Sequence, residues 1–245
     1  MTRLLVIPAA GRGSRLGGGV PKALVQIAGR PMLDHLADLY RPFVDRVLVV
    51  ANPSSIAPIG AWARAHGADA VVQAEPTGML DAILLARPSV EALRPDAVWI
   101  TWADQAGVLP ATVSRLAASE SAAALTFPTV RRADPYIHFP RSEDGRISGL
   151  LQRREGDVMP PYGEGDLGLF AMTRATFEDD LVEYANLGAS GAGTGERNFL
   201  PFIPWLAQRK PVTTFPCTDA MEAVGVNTPE DRQAVETWIR SRPPA

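Results

Sequence analysis

Residues 4–24, LLVIPAAGRGSRLGGGVPKAL, decide how the chain is built. The apolar run Leu4 to Ala10 reads as a strand, which breaks into glycines at 11, 13, 17, 18 and 19 and then delivers two cations, Arg15 and Lys22, before the next helix. Glycines let backbone N–H groups approach anionic oxygens closely. Arg15 can bind them bidentately, and Lys22 is a movable point charge. The combination is the chemistry of triphosphate binding, whereas a bare glycine pair beside solvated surface cations would carry little weight. Gly-x-Gly is followed here by Ser14 and Arg15, not by a third glycine or alanine opening a helix, so the loop is not a dinucleotide fingerprint. No Gly-Lys-Ser/Thr occurs, which excludes a P-loop.

Working outward, short β-rich runs alternate with helical patterns: PMLDHLADLY, RVLVVAN, IGAWARAH, ADAVVQ, GMLDAILLA, AVWITWAD and PATVSRLAA. The strands are near-continuous apolar runs, as expected where helices cover both faces of a parallel sheet. The pattern predicts a single-domain α/β fold, a three-layer αβα Rossmann-like arrangement around a mostly parallel mixed sheet, with sites at the carboxyl ends of the strands. LTFPTV, YIHFP and RISGLLQ read as strands around the turn SEDG, followed by LGLFAMT and a helix from Ala175. GVNTPEDRQAVETWI starts a helix with Thr228 as N-cap, Pro229 in the first turn and Asp231 closing a capping box. The expected division of residues 1–245 is a nucleotide-binding half at 1–130, an acceptor-binding half at 131–227 and a C-terminal helix at 228–242. LGASGAGTGE reads either as a mobile lid or as a plain surface loop.

A chain of 245 residues, 46% hydrophobic, can bury one substantial core. Its formal net charge of −3 gives no general attraction to nucleic acid or anionic lipid, so phosphate recognition must be local. The single cysteine, Cys217, has no partner for an internal disulfide and no zinc-like spacing. The opening apolar run is interrupted by Pro8 and leads into Arg12 and Arg15, which argues against an export signal, and no stretch approaches the roughly 20 apolar residues of a membrane span. A cytoplasmic enzyme without nucleic-acid or membrane partners is expected.

At the loop the sequence resembles the sugar-nucleotide pyrophosphorylase (nucleotidyltransferase) family, most closely the uridylyltransferase domain of the bacterial N-acetylglucosamine-1-phosphate enzymes. The family's opening motif is present as Ala9, Ala10, Gly11, Gly13, Ser14, Arg15, Leu16, Pro21 and Lys22. The resemblance implies that the loop wraps the triphosphate, with Arg15 and Lys22 as catalytic cations neutralising charge on the α-phosphate and the departing pyrophosphate. In VVQAEPTGMLDAI, Gln73 and Gly78 fall on the base-recognition positions. Met79 replaces the family's threonine and leaves thymine or cytosine open beside uracil.

Asp104 ends the buried run VWITWAD, where a carboxylate is expensive unless it binds something. The resemblance makes Asp104 and the Asn227 of Gly225-Val226-Asn227 the holders of Mg2+, which accepts one or two protein oxygens and fills its shell with phosphate and water. Here the family's Gly-Asp has become Ala103-Asp104. By themselves, Asp104 could instead cap the following helix and Asn227 could serve only its turn. On the acceptor side His138 replaces a glycine, Gln152 a glutamate and Asp166 an asparagine, while Glu196 matches a further sugar-contacting glutamate only loosely. The expected reaction moves a nucleoside monophosphate, from UTP or dTTP by preference, onto a sugar 1-phosphate with Mg2+ and release of pyrophosphate. The three acceptor changes keep open a cytidylyl or guanylyl transfer to a polyol phosphate, a pterin phosphate or phosphocholine. A regulatory module that binds nucleotide without turnover is the remaining alternative. The hexapeptide-repeat acetyltransferase half of the bifunctional relatives is not expected, and with it acetyl transfer.

Overall fold

A computed structural model describes residues 1–11 and 19–242. Arg15, Gly13 and Ser14 therefore lie outside the described residues. In chain order come β1 (Arg3–Pro8), the short pair β2 (Gln26–Ile27) and β3 (Arg30–Pro31), α1 (Met32–Tyr40), β4 (Arg46–Ala51), α2 (Ile56–Ala65), β5 (Asp69–Val72), α3 (Met79–Leu84), α4 (Arg87–Leu93), β6 (Ala97–Thr101) and α5 (Pro110–Ser119). The second half runs β7 (Leu125–Ala133), β8 (Ile137–His138), β9 (Leu151–Gln152), β10 (Tyr162–Asp166), β11 (Leu169–Thr173), α6 (Leu181–Asn186), α7 (Phe202–Ala207), β12 (Val212–Pro216) and α8 (Pro229–Ser241).

The described strands form an eight-stranded mixed sheet in which β6, β1, β4 and β5 are neighbours and parallel, the expected Rossmann-like core. Beyond β6 the sheet turns antiparallel. β10 and β11 run end to end along one side of β7, with Asp166 opposite Thr129 and Ala171 opposite Thr126, while β12 pairs parallel on its other side. From β1 the chain steps outward to β4 and β5, then returns to place β6 on the opposite flank. That reversal opens a crevice between the carboxyl ends of β1 and β6, where ligands bind in sheets of this type.

Strand alternation explains the uninterrupted apolar runs. Leu4 and Val6 join one core layer with Val98, Ile100 and Phe170, while Leu5 and Ile7 join the other with Leu36, Trp99 and Val113. α1 buries Met32, Leu33, Leu36, Ala37 and Tyr40, the stripe its sequence spacing predicts. α8 is docked by Val235 against Ile27, Met32, Ala106 and Val226, and its capping box of Thr228 and Asp231 is formed as read from the sequence. Among the described residues no helix is long and apolar enough to cross a membrane.

Two expected elements differ. RISGLLQ yields only the two-residue β9 and a bridge from Ile147 to Arg141, because Phe139 donates its N–H to Glu164 of β10 and Ser148 folds back onto Pro140, which takes the segment off a regular ladder. The helix after Ala175 begins as a π-turn over Thr176–Asp180 before α6.

Candidate active site

The ends of the parallel strands are tied together by main-chain bonds. Ala9 N–H donates to Val50 at 2.7 Å and Gln73 N–H to Ala51 at 2.8 Å, while the Asn52 amide donates to Ala10 at 2.9 Å. Ala9, Ala10 and Gln73 thus sit on one rim. The Gln73 amide also donates to Gly78 C=O at 2.9 Å. Gly78 has φ +127°, and a Cβ there would lie 2.4 Å from the carbonyl oxygen of Arg197, so a packed backbone requires glycine at this position whatever it does for a base.

Across the rim, Lys22, Asp104 and Asn227 converge from three remote segments. Lys22 Nζ is 2.5 Å from Asp104 Oδ2 and 2.7 Å from Asn227 Oδ1. The convergence has a visible cause. Val226 N–H donates to Asp104 C=O at 3.0 Å, setting the Gly225–Asn227 turn against the end of β6. Buried Glu222 then accepts from Leu109 N–H at 3.0 Å and from Thr218 and Asp219, joining the turn before Asn227 to the loop that follows Asp104. Asp104 does not cap α5, whose N-cap is Leu109 without a side-chain bond. Asn227 keeps its own turn through Nδ2 to Gly225, which leaves Oδ1 to face the cation.

These oxygens fit magnesium. A carboxylate and an amide oxygen, both hard donors, already meet at one point, and an ammonium stands there. Among the described residues no cluster of three His, Cys, Asp or Glu side chains is placed for a metal.

Beside them opens a cavity of about 640 Å³. Asp104, Gln152, Asp166 and Asn227 line it, all four read from the sequence. His138 and Glu196 do not: His138 Nδ1 accepts Glu164 N–H at 3.0 Å, and Glu196 accepts Arg154 at 2.5 Å. Burial pushes the Asp166 carboxyl up to about 6, with the negative charge of Asp104 adding to the rise, while Gly168 N–H at 2.7 Å and the Trp102 indole oppose it. Trp102, Gln105, Arg132 and Arg154 also line the cavity, and none carried a signal in the sequence. Gln105 Oε1 is buried there without a partner among the described residues. The 188–196 loop is stitched down by Glu155, which accepts from Gly193 N–H and from Thr194.

A strand-end crevice holding an ammonium, a carboxylate and an amide beside a cavity is the layout of a nucleotidyltransferase, and residues 5–161 match the sequence profile of the MobA-like NTP transferase domain. The chain belongs to that family, in agreement with the resemblance carried by the Ala9–Lys22 motif. It is 28% identical over 242 residues to the bifunctional protein GlmU of Pseudomonas putida strain F1, covering 97% of this chain and 52% of the relative. The chain thus spans about half the length of the curated relatives it matches. In fold it is similar to a putative glucose-1-phosphate thymidylyltransferase from Bacillus anthracis solved with sucrose, with TM-score 0.78 at 15% identity, covering 100% of this chain and 98% of that one. It is also similar to HddC from Yersinia pseudotuberculosis complexed with GMP-PN, with TM-score 0.67 at 20% identity, covering 97% of this chain and 100% of the other.

Proposed function

We propose that this nucleotidyltransferase moves a nucleoside monophosphate from a triphosphate, UTP or dTTP by preference, onto a sugar 1-phosphate. The observation that carries the reading is the meeting of Lys22, Asp104 and Asn227 at the edge of a cavity large enough for a phosphorylated sugar. An acceptor phosphate oxygen attacks the α-phosphorus in line. The new O–P bond forms as the α–β bridging P–O bond breaks, and pyrophosphate leaves. A phosphate dianion needs no general base near neutral pH, so the protein contributes positioning and charge.

Lys22 supplies a cation on a flexible stem to the phosphates, joined by Arg15 from the glycine loop. Asp104 and Asn227 are the residues that would hold magnesium, which when bound would supply further positive charge at the phosphate oxygens. Gln152 and Asp166 face the acceptor and can bond hydroxyl groups. The test is magnesium-dependent pyrophosphate release from UTP, dTTP, CTP, GTP and ATP in separate reactions with sugar 1-phosphates, reading products by mass spectrometry. A nucleoside diphosphate sugar, lost in Asp104→Ala, is expected. A tightly bound triphosphate that is never consumed would replace this reading with the regulatory one.

A further inference from the structure

The β7 side of the cavity carries positive charge that the transfer chemistry does not use. Along β7, Val130 and Arg132 line the cavity, whereas Arg131 between them stands opposite Glu164 of β10. Arg132 pairs in register with Gly163, three residues beyond the Thr129–Asp166 pair, or about 10 Å farther along the strand at roughly 3.3 Å per residue. Asp104, Asp166 and Arg132 line one cavity, so an acceptor that fills it can meet both the reacting end and Arg132.

Among the described residues Arg132 has no carboxylate within ion-pair distance, because its neighbours are engaged elsewhere. Asp134 is bound by Arg153, and Glu164 is held bidentately by Arg141 at 2.9 and 2.6 Å. The exposed Tyr136 lines the same wall. Arg154 also lines it, but its guanidinium is taken up by two carboxylates, Glu196 at 2.5 Å and Glu155 at 3.4 Å. Arg132, exposed and lining the cavity, presents a planar fork with unused donors that matches a carboxylate or a phosphate.

Building on the transfer reading, we propose that the acceptor carries a second anionic group, a carboxylate or phosphate remote from the phosphate that reacts, and that Arg132 selects it. The acceptor class is then a sugar 1-phosphate with a second acidic group, such as a uronic acid 1-phosphate, in place of a hexose 1-phosphate whose sugar ring carries no charge. Hydrogen bonds between charged groups are about twice as strong as neutral ones, and the expected preference is at least about 10-fold.

The experiment compares the 1-phosphates of glucose, galactose and mannose with those of their uronic acids. Binding to the wild-type protein is read by calorimetry, and transfer by pyrophosphate release with magnesium and each of the five triphosphates. The expected result is at least 10-fold tighter binding of the uronic acid member of a pair. Arg132→Met should shrink that ratio towards one while keeping its thermal midpoint, and Arg132→Lys should retain part of it. Equal binding within every pair, a ratio unmoved in Arg132→Met, or no binding of any of the six overturns the subsite. Selective, Arg132-dependent binding without pyrophosphate release from any triphosphate would uphold the subsite and sink the transfer reading alone.

Discussion

Lys22 Nζ lies 2.5 Å from Asp104 Oδ2 although 82 residues separate them, and the same ammonium reaches Asn227. An ammonium and a divalent cation cannot share those two oxygens. On the proposed reading they compete in nucleotide-free protein, and a triphosphate that drew Lys22 away would free the pair. Lys22→Met should therefore bind Mn2+ about 10-fold more tightly than wild type without nucleotide, roughly 1.4 kcal/mol, while losing turnover. Electron paramagnetic resonance titration of free Mn2+ reads this directly. Equal affinities would mean that Lys22 does not guard the oxygens.

Glu222 is the hidden brace of that arrangement. Its two oxygens take the N–H groups of Leu109, Thr218 and Asp219, fixing the turn before Asn227 to the loop after Asp104. Glu222→Ala strands those donors in a buried place and should lower stability by about 2–4 kcal/mol. Residual folded protein should show a raised requirement for magnesium, because Asn227 is no longer held in register with Asp104. Urea unfolding together with a magnesium titration of turnover separates the two effects. A variant as stable as wild type would show that the brace is dispensable.

Gly78 offers a sharper test of backbone constraint. Its φ of +127° is a region that side chains rarely adopt, and an added Cβ would meet Arg197 backbone at 2.4 Å, at the point where Leu80 N–H bonds the Arg197 carbonyl. Gly78→Ala should cost about 2–4 kcal/mol, a fall in melting temperature on the order of 5–10 °C. Scanning calorimetry decides. A shift below a degree or two would mean that the α3 entry and the Arg197 segment part easily.

These residues also mark what the sequence could and could not disclose. The parallel core was legible because strands buried on both faces are written as unbroken apolar runs, and the start of α8 was legible because Thr228 and Asp231 are a local capping pair. Asp104 stood out as a carboxylate closing an apolar strand. Glu222 and Arg132 did not, since each matters through a partner or a void supplied by distant chain: Glu222 through Leu109, Arg132 through the cavity under β10. The π-turn and the broken β8–β9 pair were hidden for the same reason, as tertiary bonds override local pattern there.

Asp166 makes stability depend on pH in a direction opposite to the usual carboxylate. Its folded value of about 6 lies above the ordinary 3.8, so the folded state holds the proton more tightly. Below about pH 4 both states are protonated and nothing is lost. As pH rises towards 6 the unfolded chain ionises first and the fold is penalised; above 6 the penalty is complete, roughly 3 kcal/mol at most. Asp166→Asn keeps an oxygen for Gly168 N–H and removes the charge. It should therefore be more stable than wild type at pH 8 by about 1–3 kcal/mol, with the gain shrinking steadily between pH 6 and pH 5. Urea unfolding at pH 5, 6.5 and 8 measures it. A difference that does not change with pH would show that Asp166 ionises as an ordinary carboxylate, and that the burial seen around it is relieved by water entering the cavity.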